Sequence, residues 1–599
     1  MPEFAAHSFR REEVEGENLE QFAPPYTSEK FTPEEVRYLN PFFSNIDQSV
    51  FVVQHLPEEV IGALSAKYSR ATESMRRTFL KEYVEPIVHP ESQKNWSSLS
   101  HKEQQETLLS RQKFVELINF LNTNGGIDYI VNIQRGRNFF NKWLVDFGDD
   151  SISELGGIHL CIEGLSNVAT KEIEDQRIGI SPIEKSSRYV SFADKLPDGN
   201  YKYVVPGEIK GTVYERSYRA MTDILFGTYA RLVEPYFNYI KDVFPKGDDE
   251  SDASFEKSRR AKVFDDLRDL LTFSTLTNIG LYGNGRSYEY LINRIARHPL
   301  GELRYWGSKI ASELQRVTPS FIRRVDTPMG KELQEYKKDI RRLRDEISDE
   351  KFKGVVEMER GGWSKLIDYT KTGEVDVLTA FIFGGGSSPN YSEVRARVVG
   401  MSKDERRKIF ERIFEQRSPG NNNPKREDVR FKRVPRAFEN SRYTFALWAR
   451  GGDYRDLHRH RLLTQERQPF TTKWGYDVEK EVLASPFVNE IEIALKLVSP
   501  VYELIHKEFP EVAQYTVAFA YIQHWYVNLT AREMYYMGEL RTGPQGRSHY
   551  RHIVQEMATQ ASAVHPDLFA GMKVDMNDYS LARRESEKWT DKKRKELGV

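Results

Sequence analysis

An internal repeat restricts the fold of this 599-residue chain more than any other feature of its sequence. From Glu154, "ELGGIHLCIEGLS" runs into "NVATKEIEDQRIGISPIEKSSRY"; from Glu439, "ENSRYTFALWARGG" runs into "DYRDLHRHRLLTQ". Each copy presents a glutamate, an apolar alternation that predicts a strand, a glycine, and then a helical segment with arginine at its end. Downstream, "LTFSTLTNIGLYGNGRSYEYLINRIARHPLGELRYWGSKI" and "AQYTVAFAYIQHWYVNLTAREMYYMGELRTGPQGRSHYRHIVQEM" repeat a second pattern. A buried strand passes through a turn at Asn284 or Thr530, an arginine stands two positions on, and a long amphipathic helix follows. The same order in both copies implies a diverged duplication.

Between the copies, residues 331–353 are almost all charged, with Leu333, Tyr336, Ile340 and Leu343 as a sparse apolar stripe. This pattern predicts a solvated connecting helix. The organisation expected is an N-terminal extension over 1–45, a first half over 46–325, a charged linker helix over 326–353, a second half over 354–575 and a charged tail over 576–599. Apolar side chains at helical spacing predict helices over 58–84 and 98–121, and the Pro, Gly and Asn of 415–432 predict a long loop. The fold class expected is helix-rich α+β, built from two homologous halves.

Lys plus Arg number 88 and Asp plus Glu number 89, so the chain as a whole is no polyanion binder and any basic site must be local. The only cysteine, Cys161, permits neither an intramolecular disulfide nor a thiolate zinc cluster, and its apolar surroundings predict a core position. No apolar run approaches the length of a membrane helix, and "MPEFAAHSFRREEVEGENLEQF" is too acidic and polar for a signal peptide. A cytoplasmic protein without membrane association is expected.

The local basic site is "GGDYRDLHRHRLLTQERQPF", where His458, Arg459, His460 and Arg461 stand side by side after a glycine pair. Adjacent cationic groups repel unless water screens them or an anion sits among them. With Asp453 as helix cap, the run falls in the second turn, so side chains rather than backbone amides must do any binding. His458 and His460 are two positions apart, a poor spacing for one metal on a helix, and no metal site is expected. "FGGGSSPNY", 383–391, lacks the lysine of a phosphate-cradling loop and reads as a flexible turn.

At these residues the chain resembles the flavin-dependent thymidylate synthases. Their signature is Arg-His-Arg, two residues, Ser, x, Asn, x, x, Ser, x, Arg, Tyr, followed later by an Asn-x-Arg turn and a helix. Here the signature is divided. The second half keeps Arg459-His460-Arg461 and then departs; the first half has Asp175-Gln176-Arg177 at that place and, after a one-residue insertion, keeps Glu184, Ser186, Arg188 and Tyr189. The turn is Asn284-Gly285-Arg286 in the first half, but Ile295 stands where the family has a nucleotide-gripping arginine. In the second half the turn is Thr530-Ala531-Arg532, and Arg541 holds the arginine position. The resemblance covers 140–315 and 430–570.

What the resemblance implies is reductive methylation of dUMP to dTMP, with methylenetetrahydrofolate and NADPH as co-substrates and FAD as cofactor. By the same resemblance Ser186, Ser187, Arg188 and Arg541 bind the substrate, with Arg188 and Arg541 as catalytic cations. Arg459, His460, Arg461, Asn284, Arg286 and Glu184 bind FAD. Forked guanidinium groups and a hydroxyl suit a phosphate's several acceptor oxygens. Family members assemble as tetramers with shared sites, which implies a homodimer of these two-half chains. The family's Glu-His pair is Glu154-Leu155 in one half and Glu439-Asn440 in the other, and Gln176 replaces the motif histidine. Two further functions fit such a scaffold: a related flavoenzyme for another pyrimidine nucleotide, and a non-catalytic nucleotide- or RNA-binding protein. No aromatic residues are regularly interleaved with the basic run, so a nucleic-acid partner is not expected.

Overall fold

The computed structural model describes residues 17–597 except 124–132, 141–149, 177, 353, 356–360, 387, 388 and 422. Two four-stranded antiparallel sheets carry the repeat. The first contains β1 (Val50–Val53), β2 (Gly157–Ser166), β3 (Ile180–Glu184) and β4 (Leu276–Asn284) in the order β1-β2-β4-β3. The second contains β5 (Ser364–Tyr369), β6 (Arg442–Arg450), β7 (Thr464–Arg467) and β8 (Ile522–Thr530) in the order β5-β6-β8-β7. The identical order and the abundance of helix establish a helix-rich α+β molecule of two homologous halves. In β2 the register slips between Glu163 and Leu165, and Gly164 at φ +82° supplies the left-handed backbone that such a bulge requires.

Eight helices bear on the argument: α1 (Asn167–Glu174), α2 (Gly285–Ile295), α3 (Gly301–Val317), α4 (Pro328–Phe352), α5 (Gly451–Leu457), α6 (Ala531–Arg541), α7 (Ser548–Val564) and α8 (Arg584–Leu597). The turn residues of the repeat are N-caps. The Asn284 side chain accepts from Ser287 N at 2.9 Å to start α2, and Thr530 accepts from Glu533 N at 3.2 Å to start α6. Each cap ends the strand and begins the helix within one residue, so the position of each following side chain is fixed relative to its sheet.

The halves meet about a pseudo-twofold contact. Thr272 bridges Ala518, Phe273 N donates to Val517 O at 2.9 Å, and Phe519 N donates to Leu271 O at 2.7 Å. Phe273 stacks on Phe470 with ring centroids 3.6 Å apart. The glycine pair of the basic segment acts here: a Cβ on Gly451 would come within 2.7 Å of the Phe273 ring, so only glycine lets α5 lie this close to the other half. One apolar core runs through both halves, and a smaller one, which includes Cys161, packs outside β2. Cys161 is buried, and that burial pushes its thiol pKa well up.

Three local expectations need correcting. The helix expected over 58–84 is broken: Glu58–Tyr68 ends, and Ser74 caps a new helix by accepting from Arg77 N at 3.1 Å. The loop expected over 415–432 contains a helical turn, Arg426–Val429. The basic run is not in the second turn of a helix, because α5 starts at an Arg450 N-cap and stops at Leu457. Asp453 lies inside the first turn and pairs instead with Arg450 Nε at 2.9 Å and His549 Nδ1 at 2.8 Å. The chain must turn back after α5 to pair Thr464 of β7 with Asn528 of β8, which ends the helix and leaves the cations at its C-terminus, where the helix dipole favours them. Among the described residues no helix is long and apolar enough to cross a membrane.

A cationic cavity as candidate active site

A cavity of about 470 Å³ opens between the halves. Its first wall is the end of β3 and the turn after it, with Glu184, Ser186, Arg188 and Tyr189; its second is the chain after α5 together with Arg541 at the end of α6. Arg583, just before α8, and Arg70 complete the rim. Six arginines line it (Arg70, Arg188, Arg459, Arg461, Arg541 and Arg583) against three carboxylates, Glu174, Glu184 and Asp456. A surplus of this kind in a concave site raises the local concentration of anions.

The carboxylates are already committed. Lys171 Nζ lies 2.5 Å from Glu174 Oε2 and 2.9 Å from Glu184 Oε2, and Arg455 pairs with the other Glu184 oxygen. Burial by itself would protonate Glu174, but Lys171 and His458 more than offset it and hold the carboxyl well below its ordinary range. Asp456 is likewise buried, yet Arg268, Arg459, Arg188 and Arg541 keep it ionised. Ser187 sits behind the cavity, 3.3 Å from Arg455 Nη1.

The two histidines of the basic run differ in charge, His458 being cationic and His460 neutral. His458 Nε2 is 2.7 Å from Asp175 Oδ1 and Nδ1 is 3.5 Å from Glu174 Oε2; both nitrogens face carboxylates, so both carry protons. Burial opposes the imidazolium, but Asp175 and Glu174 prevail and its pKa is raised. His460 is buried and its pKa falls. Its Nδ1 donates to Glu533 Oε1 at 2.8 Å, and its Nε2 accepts from Arg541 Nε at 2.9 Å. A neutral ring of one tautomer therefore fixes the orientation of Arg541.

The remaining cations differ in freedom. Arg188 is held by Asp265, with Nε 2.6 and 2.8 Å from its two oxygens. Arg461 Nη1 donates to Ile180 O and to Ser181 Oγ, each at 2.8 Å, and so ties the second half's run to β3 of the first. Arg459 is 48% exposed, and its described ion pair, to Asp456, is 3.9 Å long. Arg583 has φ +74°, rare for a side chain of this size, and its buried Nη1 has no hydrogen-bond partner. Such strain beside an orphaned donor is characteristic of ligand sites.

The structure thus brings Glu184, Ser186, Arg188, Arg459, Arg461 and Arg541 to one cavity and places His460 directly behind it. It does not bring Asn284 or Arg286 there; Asn284 caps α2, and Arg286 Nη1 pairs with Glu154 at 2.6 Å. Arg177 lies outside the described residues. The sequence reading missed Arg583, whose neighbours in the charged tail carry no motif, and the supporting trio Lys171, Arg455 and Glu533. Among the described residues no cluster of three or more His, Cys, Asp or Glu side chains could hold a metal ion.

A duplicated α+β chain whose halves jointly build one cationic cavity defines the class of protein. The family model described as thymidylate synthase complementing protein matches residues 63–320 and 365–567, one match in each half, and the chain belongs to that family. A UPF0159 protein of Chlamydia muridarum (strain MoPn / Nigg) is 33% identical over 569 residues, covering 93% of this chain and 98% of that one. A UPF0159 protein of Thermoplasma acidophilum is 30% identical and covers 76% of this chain and 92% of its own. Among solved structures, a UMP/dUMP methylase from Streptomyces cacaoi bound with 5-Br dUMP is 14% identical, with a TM-score of 0.26, covering 35% of this chain and 93% of that one.

Proposed function

We propose that the chain is a flavin-dependent thymidylate synthase that converts dUMP to dTMP, with methylenetetrahydrofolate and NADPH as co-substrates and FAD as cofactor. The observation that carries this reading is the convergence of arginines from both halves on one cavity, with Arg459 loosely paired and Arg583 Nη1 unpartnered. Unsatisfied guanidinium donors fit the phosphates of a nucleotide and of a dinucleotide cofactor. Ser186 and Arg188 would take the substrate phosphate from the first half and Arg541, oriented by His460, from the second. Arg459 and Arg461 would hold the cofactor's pyrophosphate. The cofactor, when bound, supplies the hydride; the chain's own residues bind, orient and neutralise charge, and a fixed cation such as Arg541 stabilises negative charge that develops on the uracil.

The test is a flavin absorbance spectrum of the purified protein, followed by calorimetric titration with FAD and with dUMP. Binding of both is expected. Absence of flavin uptake together with absence of dUMP binding would remove this reading, and binding of another pyrimidine nucleotide in preference to dUMP would redirect it. One chain supplies both walls of the cavity.

A further inference from the structure

We propose that α4 is a docking surface for a second copy of this chain, and that two chains associate by winding their α4 helices into a parallel, two-stranded coiled coil. The inference is independent of the catalytic reading, since no residue of α4 lines the cationic cavity.

Apart from Phe352 at its end, the large apolar residues of α4 are Met329, Leu333, Tyr336, Ile340, Leu343 and Ile347, separated by four, three, four, three and four positions. That is the seam of a seven-residue repeat. A helix that packs on its own body turns such a stripe inward; here it faces out. Met329, Tyr336, Ile340, Leu343 and Ile347 are between 46% and 64% exposed. The face that meets the body is the polar one: Gln334 Nε2 donates to Asn293 Oδ1 at 2.9 Å and to Val325 O at 3.0 Å, and Arg297 Nε lies 2.9 Å from Glu335 Oε1. Lys338, Arg341 and Asp345, in alternating steps of four, three and four from Gln334, line a cleft between α4 and the first half. Leu333 is half-buried, and from Tyr336 to Ile347 the apolar stripe lies on the solvent side of a helix anchored by polar contacts, which marks an interaction surface.

The flanking charges select the occupant. One flank of the seam carries Glu332, Asp339 and Glu346; the other carries Lys337, Arg344 and Lys351. Each acid stands five residues before a base, the spacing at which flank residues of two parallel helices meet. A second copy in parallel register therefore sets Glu332 against Lys337, Asp339 against Arg344 and Glu346 against Lys351, on both sides of the seam. An antiparallel copy sets acid against acid and base against base. The pairs these groups make within one chain, such as Arg342 with Asp339 at 3.5 Å and Arg344 with Asp345 at 2.8 Å, lie along an exposed helix and leave them free to exchange partners. Isoleucine at 340 and 347 alternating with leucine at 343 is the seam composition that favours two strands.

The experiment uses the full chain. Light scattering at micromolar concentrations should give twice the 69.8 kDa chain mass. Ile340→Lys with Leu343→Lys should give the single-chain mass without changing the thermal melt of the body, because both residues are exposed. Two charge-reversed variants, Lys337→Glu/Arg344→Glu/Lys351→Glu and Glu332→Lys/Asp339→Lys/Glu346→Lys, should each be single chains and should form a mixed dimer when combined. Leu343→Cys should cross-link to itself on oxidation, since the native Cys161 is buried and a parallel pair brings the two 343 positions together. A wild-type chain that stays single at tens of micromolar overturns the proposal. So does a dimer that survives the double lysine variant, which would place the contact elsewhere or on another partner. Failure of the mixed dimer or of the cross-link overturns the parallel register.

Discussion

The strand registers make two places in the molecule equivalent, and only one of them is an open cationic site. Glu184 on β3 faces Ile279 of β4, and Arg467 on β7 faces Trp525 of β8, five positions before the Asn284 and Thr530 caps in each case. Around Glu184 the arginines of the other half, Arg459 and Arg541, keep donors for a ligand. Around Arg467 an internal carboxylate already answers the charge. Arg467 reaches across to Glu172 of α1, which also faces His298 at 3.6 Å and Arg294 at 3.9 Å. Burial lowers the His298 pKa to about 4 despite Glu172, so that ring is neutral. Over this second place lies α4, with Lys338, Arg341 and Asp345 facing the cleft. The difference teaches that a buried arginine is not in itself a ligand group; what decides is whether an internal carboxylate already answers it.

The largest effects expected separate these places by kind. Arg467→Ala leaves Glu172 poorly paired in a buried site and should cost roughly 3–5 kcal/mol of stability, with nucleotide affinity unchanged. Arg541→Ala should do the reverse, weakening dUMP binding by roughly 2–4 kcal/mol with little loss of stability, since its described bond is to the neutral His460. Denaturation curves and calorimetric titration of both variants check this. Equal loss of nucleotide binding in the two would end the distinction between an open and a closed site.

A smaller effect tests the contact that holds the two places apart. Gly451→Ala drives a methyl into the Phe273 ring and should destabilise the junction of the halves by roughly 1–3 kcal/mol. Phe273→Leu in the same chain should recover part of that loss, because it relieves the clash. If Gly451→Ala melts like the wild type, the close approach of α5 to the first half is not what demands the glycine.

These cases also show which features a sequence can display. The repeat, the N-caps at Asn284 and Thr530, and the strand before each cap follow from local pattern and cap chemistry, which neighbours along the chain carry. The end of α5 at Leu457 does not, because the pairing of β7 with β8 fixes it, and that pairing is 64 positions away between Thr464 and Asn528. Nor does the support of Arg541: His460 and Glu533 are 73 positions apart, and no periodicity links them. Arg583 is least legible of all, a strained residue in a charged tail whose role comes from where the chain returns.

Arg583 yields the next prediction in size. Arg583→Gly should relieve the left-handed backbone and raise stability by about 0.5 kcal/mol, while removing an unpartnered donor from the cavity. Nucleotide or cofactor affinity should fall by roughly 1–2 kcal/mol. A gain in stability with undiminished affinity for both ligands would take Arg583 out of the site and leave the cavity with five arginines.

The smallest expected effect is in pH, and it divides the two histidines of the basic run. His458 faces Asp175, Glu174 and Lys171, and its folded pKa is raised above the ordinary value of about 6.5. Its stabilising contribution is therefore complete below about pH 6.5 and is lost as pH rises through the folded value. His460 faces Glu533 and Arg541, with the Tyr536 ring 5.6 Å away, and its folded pKa is lowered. Its contribution is complete above about pH 6.5 and is lost as pH falls toward the folded value. His458→Gln should flatten the stability profile on the alkaline side of about pH 6.5, and His460→Gln on the acid side of it. Histidine ring resonances followed by NMR titration check the assignment directly: one should titrate above the free-imidazole range and the other below it. Two rings titrating together would mean that His460 is not a neutral acceptor, and Arg541 would then lack the support that sets its place in the open site apart from its buried counterpart, Ile295.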